Sequence, residues 1–286
     1  MKGESIMKID ENWFKLYEKL YGKTFNRLIT IGNNETGYTN YPILNLEELA
    51  EKINEFENTE FYISLYNYLT DENIIRWDNT NINKFEEYAE KNYILFRFRQ
   101  DTSVIQEEVS TLNEIQKFMF IRRSINLGFN KEIIMETQKT YNFFKTHFNI
   151  KGILMFNGYN ECLLYYPKKD LKLKRSSLTY YNLLKLVQEK LELNTLIFEN
   201  IEPYAQLVPL PGTQNKNSRL YVQLYYPDFS YKEIMKNSEN KYFNTEYLTE
   251  NEYSDKLHDF IISMDKETHA HERDSKYDFE EIWDNI

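Results

Sequence analysis

The chain has 286 residues, of which 41% are hydrophobic, and it carries a formal net charge of −10. This length and composition suffice for a sizeable core, and the acidity argues against indiscriminate affinity for nucleic acid. One cysteine excludes an internal disulfide and a zinc site built from several cysteines. No run approaches the roughly 18 apolar residues of a membrane span, and the polar N-terminus lacks a signal-peptide apolar region, so we expect a cytoplasmic protein.

Aromatic residues make up 16% of the chain, with 24 tyrosines and 19 phenylalanines. Base-stacking surfaces are one explanation of such a share. Because asparagine, lysine and isoleucine are enriched together with them, a compositional bias of the kind an AT-rich genome produces is the better interpretation.

Hydrophobic spacing predicts two helices and two strands in the N-terminal part of the chain. In chain order these are a helix from Asp10 to Gly22, a strand over 27–31, a helix over 46–56 and a strand over 60–69. The helices have apolar residues at three- and four-residue spacing, whereas the second strand alternates, with Tyr62 and Ser64 on one side. Asn45 is the expected cap of the second helix.

The segment 92–100, NYILFRFRQ, is the next predicted strand. Its apolar start and later alternation are typical of a central strand. They place Arg97 and Arg99 on one face, because side chains two residues apart in a strand point the same way. We expect these guanidinium groups to clasp a phosphate or to pair with acids; the alternative is a half-exposed sheet edge.

Two helices are predicted between this strand and the next. The first spans 110–125, in a stretch that resembles an insertion, and we expect one side of it to pack: Leu112, Ile115, Phe118 and Met119. The second spans 131–148 and has apolar residues along one side. It leads into 152–166, GILMFNGYNECLLYY, which predicts two strands joined by a tight polar turn.

A second apolar stretch with a polar turn covers 207–224, LVPLPGTQNKNSRLYVQL, and we expect it to lie against that strand pair. Pro209, Pro211 and Gly212 predict a bend, because proline lacks a backbone donor and glycine permits unusual angles. The polar turn that follows, residues 213–219, brings hydroxyl, amide and cationic groups together: Thr213, Asn215, Lys216 and Arg219. Such a loop can grip phosphate, although an ordinary solvated turn has the same composition.

A basic run precedes this stretch in the chain. Within eight residues it contains Lys168, Lys169, Lys172, Lys174 and Arg175. It is either a phosphate-binding segment or a solvated loop. A helix over 176–193, a strand over 195–199 and helices over 231–236 and 246–264 are predicted after it.

The last 22 residues, 265–286, form an acidic tail with eight acids and three bases. Apolar residues recur there at three- and four-residue spacing: Phe279, Ile282, Trp283 and Ile286. This pattern is typical of a short helix that docks in a basic, hydrophobic groove, and the alternative is that the tail folds onto its own domain.

Three segments of the chain resemble the archaeo-eukaryotic primase superfamily, the catalytic small subunits of archaeal primases and their plasmid and viral relatives. The most specific is Leu-Pro-Gly-Thr-x-Asn-Lys, residues 210–216, followed by a strand. Tyr62-Ile63-Ser64 is similar to a Tyr-x-Ser strand of the family, and Phe156-Asn157-Gly158 is similar to its Phe-Ser-Gly segment. The resemblance implies an α/β fold with mixed sheets flanked by helices and a C-terminal half similar to an RNA-recognition fold. The expected primase-like domain covers 1–264, with an N-terminal helical part over 1–57.

The residues that perform catalysis in the family are replaced here. Two aspartates of the family hold divalent metals, and the matching positions carry Arg97 and Arg99. The histidine that contacts nucleotide phosphates is replaced by Leu163, and a glycine by Glu161. The acids considered as substitutes for the lost ligands are Asp101, Glu107, Glu108, Glu199 and Glu202.

The resemblance and these replacements together imply a non-catalytic factor that binds nucleic acid, or an accessory subunit, in DNA replication or repair. We expect no cofactor and no metal. The expected partners are DNA or RNA, as single strand or primer-template, and a primase subunit or single-strand-binding protein that the acidic tail contacts. Two alternatives stay open: an active nucleotidyltransferase with a rebuilt metal site, and a protein-interaction module with a vestigial cleft.

Overall fold

A computed structural model of the chain describes residues 11–21, 27–33, 37–56, 59–65, 67–68, 89–90, 93–167, 176–198, 207–240 and 259–263. Several predicted features lie outside the described residues: the Asp10 cap, the basic run 168–175, the acids Glu199 and Glu202, and the tail residues Phe279, Ile282, Trp283 and Ile286.

Helices flank two four-stranded sheets. The helices are α1 (Glu11–Tyr21), α2 (Leu46–Glu55), α3 (Ser103–Val109), α4 (Glu114–Asn126), α5 (Lys131–Phe148), α6 (Ser176–Leu191) and α7 (Tyr231–Ser238), with a helical segment over 259–263. The strands are β1 (Arg27–Asn33), β2 (Gly37–Ile43), β3 (Glu60–Ser64), β4 (Asn67–Tyr68), β5 (Ala89–Glu90), β6 (Tyr93–Arg99), β7 (Ile153–Phe156), β8 (Glu161–Pro167), β9 (Leu207–Pro209) and β10 (Gln223–Tyr225). The predicted α/β class is confirmed, and every described strand pairing is antiparallel. None of the described helices is long and apolar enough to cross a membrane.

The first sheet has the order β2-β1-β3-β9. Helix α2 begins where predicted, because the Asn45 side chain accepts a hydrogen bond from the Glu48 backbone N–H at 2.8 Å. It buries Leu49 and Ile53. Strand β2 was not predicted. Its side chains are mostly exposed at the sheet edge, so the sequence has no apolar alternation there.

The second sheet has the order β10-β7-β8-β6. The outer edge of β6 is also bonded, since Arg99 N–H donates to the Thr195 carbonyl and Ile197 N–H to the Arg97 carbonyl, each at 2.9 Å. Strand β6 therefore has backbone partners on both sides, as expected of a central strand. The strand predicted over 195–199 is wrong in extent, because Leu196 alone forms a ladder bridge among its described residues, 195–198.

The element order of this second half is strand, helix, two strands, helix and bridge: β6, α5, β7, β8, α6 and Leu196. This is the β-α-β-β-α-β order of ferredoxin-like folds, to which RNA-recognition folds belong by element order. Helices α3 and α4 are inserted after β6. The stretch 207–224 joins the two sheets, because β9 pairs with β3 and β10 pairs with β7.

Helix α5 is buried along the predicted side, including Ile133, Thr137 and Phe144. The prediction for α4 is wrong in its start and in its packing side. Ile115 and Met119 are 70% and 64% exposed, whereas Ile121 and Ile125 are buried. The helix begins at Glu114 because Asn113 forms a capping box with Gln116, which ends the preceding turn. Helix α3, also not predicted, occupies the chain before it.

Candidate functional site

Two arginines of β6 and one glutamate of β8 form an ion triad beside β9. Arg99 lies opposite Glu161 in the strand register, and its guanidinium is 3.1 Å from a Glu161 carboxylate oxygen. Arg97 Nε lies 3.5 Å from the same oxygen, and another Arg97 nitrogen donates to the Leu207 carbonyl at 2.5 Å. Of the roles predicted for the two arginines, pairing with an acid is the one observed, and the acid is Glu161.

Most of the ion triad is buried. Arg97 is 8% exposed and Glu161 is 6% exposed, whereas the Arg99 side chain is 36% exposed. On the other face of β6, the Phe96 ring packs on Phe144 of α5 with 5.1 Å between centroids. Alternation along β6 therefore directs the apolar face to α5 and the cationic face to the first sheet. Solvent reaches the triad mainly at Arg99.

The turn between β7 and β8 positions Glu161. The Asn157 side-chain oxygen accepts hydrogen bonds from the Tyr159 and Glu161 backbone N–H groups at 2.8 and 3.0 Å. Gly158 has φ 84°, and a Cβ at this residue would lie 2.7 Å from the Leu220 carbonyl oxygen. Glycine is therefore required at 158 both by the backbone angle and by the close approach of the Leu220 carbonyl.

Thr213 and Asn215 hold the polar turn together. The Thr213 hydroxyl donates to the Leu210 carbonyl at 2.6 Å, and the Asn215 side-chain oxygen accepts from the Asn217 and Ser218 backbone N–H groups at 3.0 and 3.2 Å. Both residues are buried. Their polar side chains are used to satisfy the turn's own backbone, as is common for asparagine and threonine in turns.

Lys216 and Arg219 are the predicted members of the polar turn that reach solvent; Lys216 is half-buried and Arg219 is exposed. Arg219 has a left-handed backbone, with φ 54°, and its guanidinium carbon lies 4.7 Å from the centroid of the Phe118 ring. The Ser218 hydroxyl donates to the Gly158 carbonyl at 2.6 Å. The polar turn is thereby fixed against α4 on one side and the β7–β8 turn on the other.

Tyr62, in the strand that resembles the Tyr-x-Ser strand of the family, lies near the ion triad. Its hydroxyl is 3.5 Å from the Glu60 carboxylate, to which the Tyr38 hydroxyl donates at 2.9 Å. Burial raises the pKa of Tyr62, and the negative charges of Glu60 and Glu161 raise it further. Burial and the bond to Glu60 raise the pKa of Tyr38 to about 12. Both phenols are therefore protonated hydrogen-bond donors at neutral pH.

The ion triad does not fit the divalent-metal centre that the family resemblance implies. Magnesium and similar ions take several oxygen ligands, of which carboxylates are the usual charged ones. The matching positions carry Arg97 and Arg99, and both arginines share the carboxylate of Glu161. Among the residues that the structure describes, no three His, Cys, Asp or Glu side chains are grouped to hold a metal ion.

The described acids that were considered as substitute ligands bond within their own loop or face solvent. The Asp101 carboxylate accepts hydrogen bonds from the Ser103 backbone N–H and hydroxyl, both at 2.9 Å, and these bonds lower the pKa of Asp101. Glu107 and Glu108 are exposed on α3. Leu163, at the histidine position, is fully buried. Within the described ranges the metal site is not rebuilt from these acids.

The sequence does not identify Glu161 and Phe118 as members of the site. Glu161 is 62 residues from Arg99 in the chain, and the two are brought together by the strand register. Local sequence patterns do not specify that register. The one signal is the resemblance, in which a glycine stands at 161. Phe118 gains its role from the approach of Arg219, which belongs to a distant loop.

No protein-family model matches the sequence, and no curated protein matches it either. The solved structures that are similar to this chain include the following two. The polymerase domain of Mycobacterium tuberculosis ligase D in complex with DNA is 9% identical, with a TM-score of 0.45, over 82% of this chain and 94% of that one. The AEP domain of the cyanophage S-2L primase-polymerase is 10% identical, with a TM-score of 0.42, over 81% of this chain and 100% of that one.

Proposed function

We propose that this chain is a primase-like protein that binds nucleic acid, as single strand or primer-template, in DNA replication or repair, and that it does not catalyse nucleotide transfer. One observation carries the proposal. Arg97 and Arg99 occupy the positions at which the resembled family binds its metals, and both are committed to the carboxylate of Glu161.

The loss of catalysis follows from charge. Divalent ions stabilise the attacking hydroxyl and the triphosphate in phosphoryl transfer, and they need anionic ligands. Two guanidinium groups at the ligand positions repel such an ion, and Glu161, already neutralised by them, offers it little. The function that remains for a site with two cations and one anion is to contact phosphate.

The binding surface we propose includes cations that reach solvent at least in part. Lys216 and Arg219 lie on the polar turn, Arg99 lies at the accessible end of the triad, and the basic run 168–175 supplies further cations by sequence. Because the whole chain carries −10, a polyanion is repelled at long range and binding requires this local cluster. The acidic tail is proposed to contact a replication protein, a primase subunit or a single-strand-binding protein.

The test is a binding titration of a fluorescent single-stranded oligonucleotide with the full chain at low and moderate salt. Replacing Lys216 and Arg219 with alanine should weaken binding uniformly across sequences. It should also reduce the slope of log K against log salt by roughly one to two, since each phosphate contact on a single strand contributes about 0.7.

A matched control removes two other positive charges, which lie before strand β7 of the second sheet. Lys145, in the last turn of α5, and Lys151, before β7, are both exposed. They precede β7, whereas the polar turn contacts Gly158, which follows β7. Their double alanine variant should bind like the wild type. Equal losses in both double variants, or no binding by the wild type at low salt, would remove the proposed function.

A further inference from the structure

Helix α4 exposes apolar side chains that a packed helix would bury. Ile115 is 70% exposed and Met119 is 64% exposed, and since they are four residues apart they are neighbours on one face of the helix. The helix packs instead through Ile121 and Ile125. A contiguous apolar face that stays exposed to solvent is a common mark of a binding surface.

Phe118 continues this face towards the polar turn. It lies three residues after Ile115, on the same part of the helix surface, and it is partly buried. Arg219 stays exposed while its guanidinium carbon lies 4.7 Å from the Phe118 ring centroid. The face therefore ends in a cation–π contact between Arg219 and Phe118. The positive φ of Arg219, 54°, is unusual for a long side chain.

Further cations lie along the same helix. The Glu114 carboxylate, at the start of α4, accepts from Lys117 at 2.9 Å, and its pKa is lowered chiefly by this bond and in smaller part by the charge of Lys216. Lys216 is thereby placed near the first turn of α4. Arg123 is exposed in the last turn. Cations therefore lie at both ends of the apolar face, together with the Glu114 carboxylate at the first end.

Helix α3 is not part of this surface. Val104 is 70% exposed, but Glu107 and Glu108 follow it at three- and four-residue spacing and are exposed as well. A polyanion is repelled from that face. Apolar surface and cations lie together on α4 and the polar turn.

We propose that Ile115, Phe118, Met119 and Arg219 form a platform on which the unpaired bases of single-stranded nucleic acid stack, while Lys216 and its neighbours contact the phosphates. The platform rests on the proposed function and narrows its substrate class to single strands. In a duplex the base faces are covered by neighbouring base pairs, whereas a single strand presents them to apolar, aromatic and guanidinium surfaces. In a two-fold dimer through this face the same cations would lie against each other, so the positive charge favours a polyanion over a second copy of the chain.

The experiment compares two strands of equal length, oligothymidylate and an abasic strand with the same sugar-phosphate backbone, bound to the full chain. The test variant is Ile115→Ser with Met119→Ser. The matched control is Leu127→Ser with Met135→Ser, which replaces apolar side chains that are 79% and 57% exposed outside the platform. All four positions are solvent-accessible, so folding should be unaffected.

We expect the wild type to bind oligothymidylate about tenfold more tightly than the abasic strand, the effect of losing about one stacked base. The test variant should lose this preference and keep its affinity for the abasic strand, and the control should keep both. Arg219→Lys, which keeps the charge without the planar guanidinium, should lose part of the preference.

Equal binding of both strands by the wild type would overturn the platform and leave the proposed function standing. Absence of binding to either strand would remove both. Light scattering compares the oligomeric states of the wild type and of the test variant. A dimeric wild type and a monomeric test variant would assign the face to a second copy of the chain and likewise overturn the platform.

Discussion

The Arg99 guanidinium lies 3.1 Å from the carboxylate of Glu161, directly opposite it in the β6–β8 register. Arg97, two residues earlier on the same face, shares that carboxylate at 3.5 Å. In the family that the sequence resembles, acids occupy 97 and 99 and a glycine occupies 161. The three differences from the family pattern therefore lie in one ion triad.

Replacing Glu161 with glutamine should destabilise the fold by about 3–5 kcal/mol, the usual cost of leaving a buried charge without its partner. Arg97, which is 8% exposed, would keep only the Leu207 carbonyl among its described partners, and it would face Arg99 without an anion between them. The free energy of unfolding from urea denaturation measures the change.

The control is Glu114→Gln, which breaks the ion pair with Lys117 at the surface. Exposed pairs contribute about 0–1 kcal/mol, so this variant should unfold at nearly the same urea concentration as the wild type. Losses of similar size in the two variants would show that the buried triad has no special energetic role.

Purified protein should neither make primers nor extend them with magnesium or manganese. Because Leu163 still stands at the histidine position and is fully buried, Arg97→Asp combined with Arg99→Asp should not restore activity. A primer-extension gel with all four nucleotides measures this. Template-dependent incorporation that Asp101→Ala abolishes would support the alternative of a rebuilt metal site.

Local features of the fold could be predicted from the sequence, and long-range ones could not. Helix α5 and the Asn45 cap follow from periodicity and from a side chain three residues from its partner. Helix α4 has apolar residues on more than one side, so spacing alone did not select the buried side with Ile121. Neither the pairing of Glu161 with Arg99 nor the contact of Arg219 with Phe118 has a local signal, since a strand register and a loop approach create them.

Glu136→Gln should destabilise the protein by about 1–3 kcal/mol. The buried Glu136 carboxylate accepts hydrogen bonds from the Asn194 N–H, the Thr195 N–H and the Thr195 hydroxyl, at 2.8, 2.9 and 2.6 Å. These bonds fix the segment that pairs with the outer edge of β6, and hydrogen bonds to a charged acceptor are stronger than to an amide. Thermal melts measure the loss. Glu132→Gln, which alters a bond to the exposed Asn194 amide at 3.2 Å and a charge in the first turn of α5, should change the stability by less than about 1 kcal/mol.

Deleting residues 274–286 should leave the melting temperature almost unchanged and abolish capture of a replication partner. The expectation follows from the acidic, amphipathic pattern of Phe279, Ile282 and Trp283, which is typical of a docking helix. Pull-down of a purified single-strand-binding protein, together with a thermal melt, measures both effects. A fall of many degrees in the melting temperature would instead show that the tail packs on its own domain.

Gly158→Ala should destabilise the protein more than Gly37→Ala, although both glycines have a left-handed backbone, with φ 84° and 78°. At Gly37 an added Cβ meets nothing within 4 Å, so the loss should be the backbone strain alone, about 1 kcal/mol. At Gly158 the same Cβ would approach the Leu220 carbonyl oxygen to 2.7 Å, and the resulting displacement should add about 1–3 kcal/mol. Because the Gly158 carbonyl also accepts the Ser218 hydroxyl, oligonucleotide binding through the polar turn should weaken in this variant only. Equal unfolding free energies for the two variants would mean that the turns are not held in contact in solution.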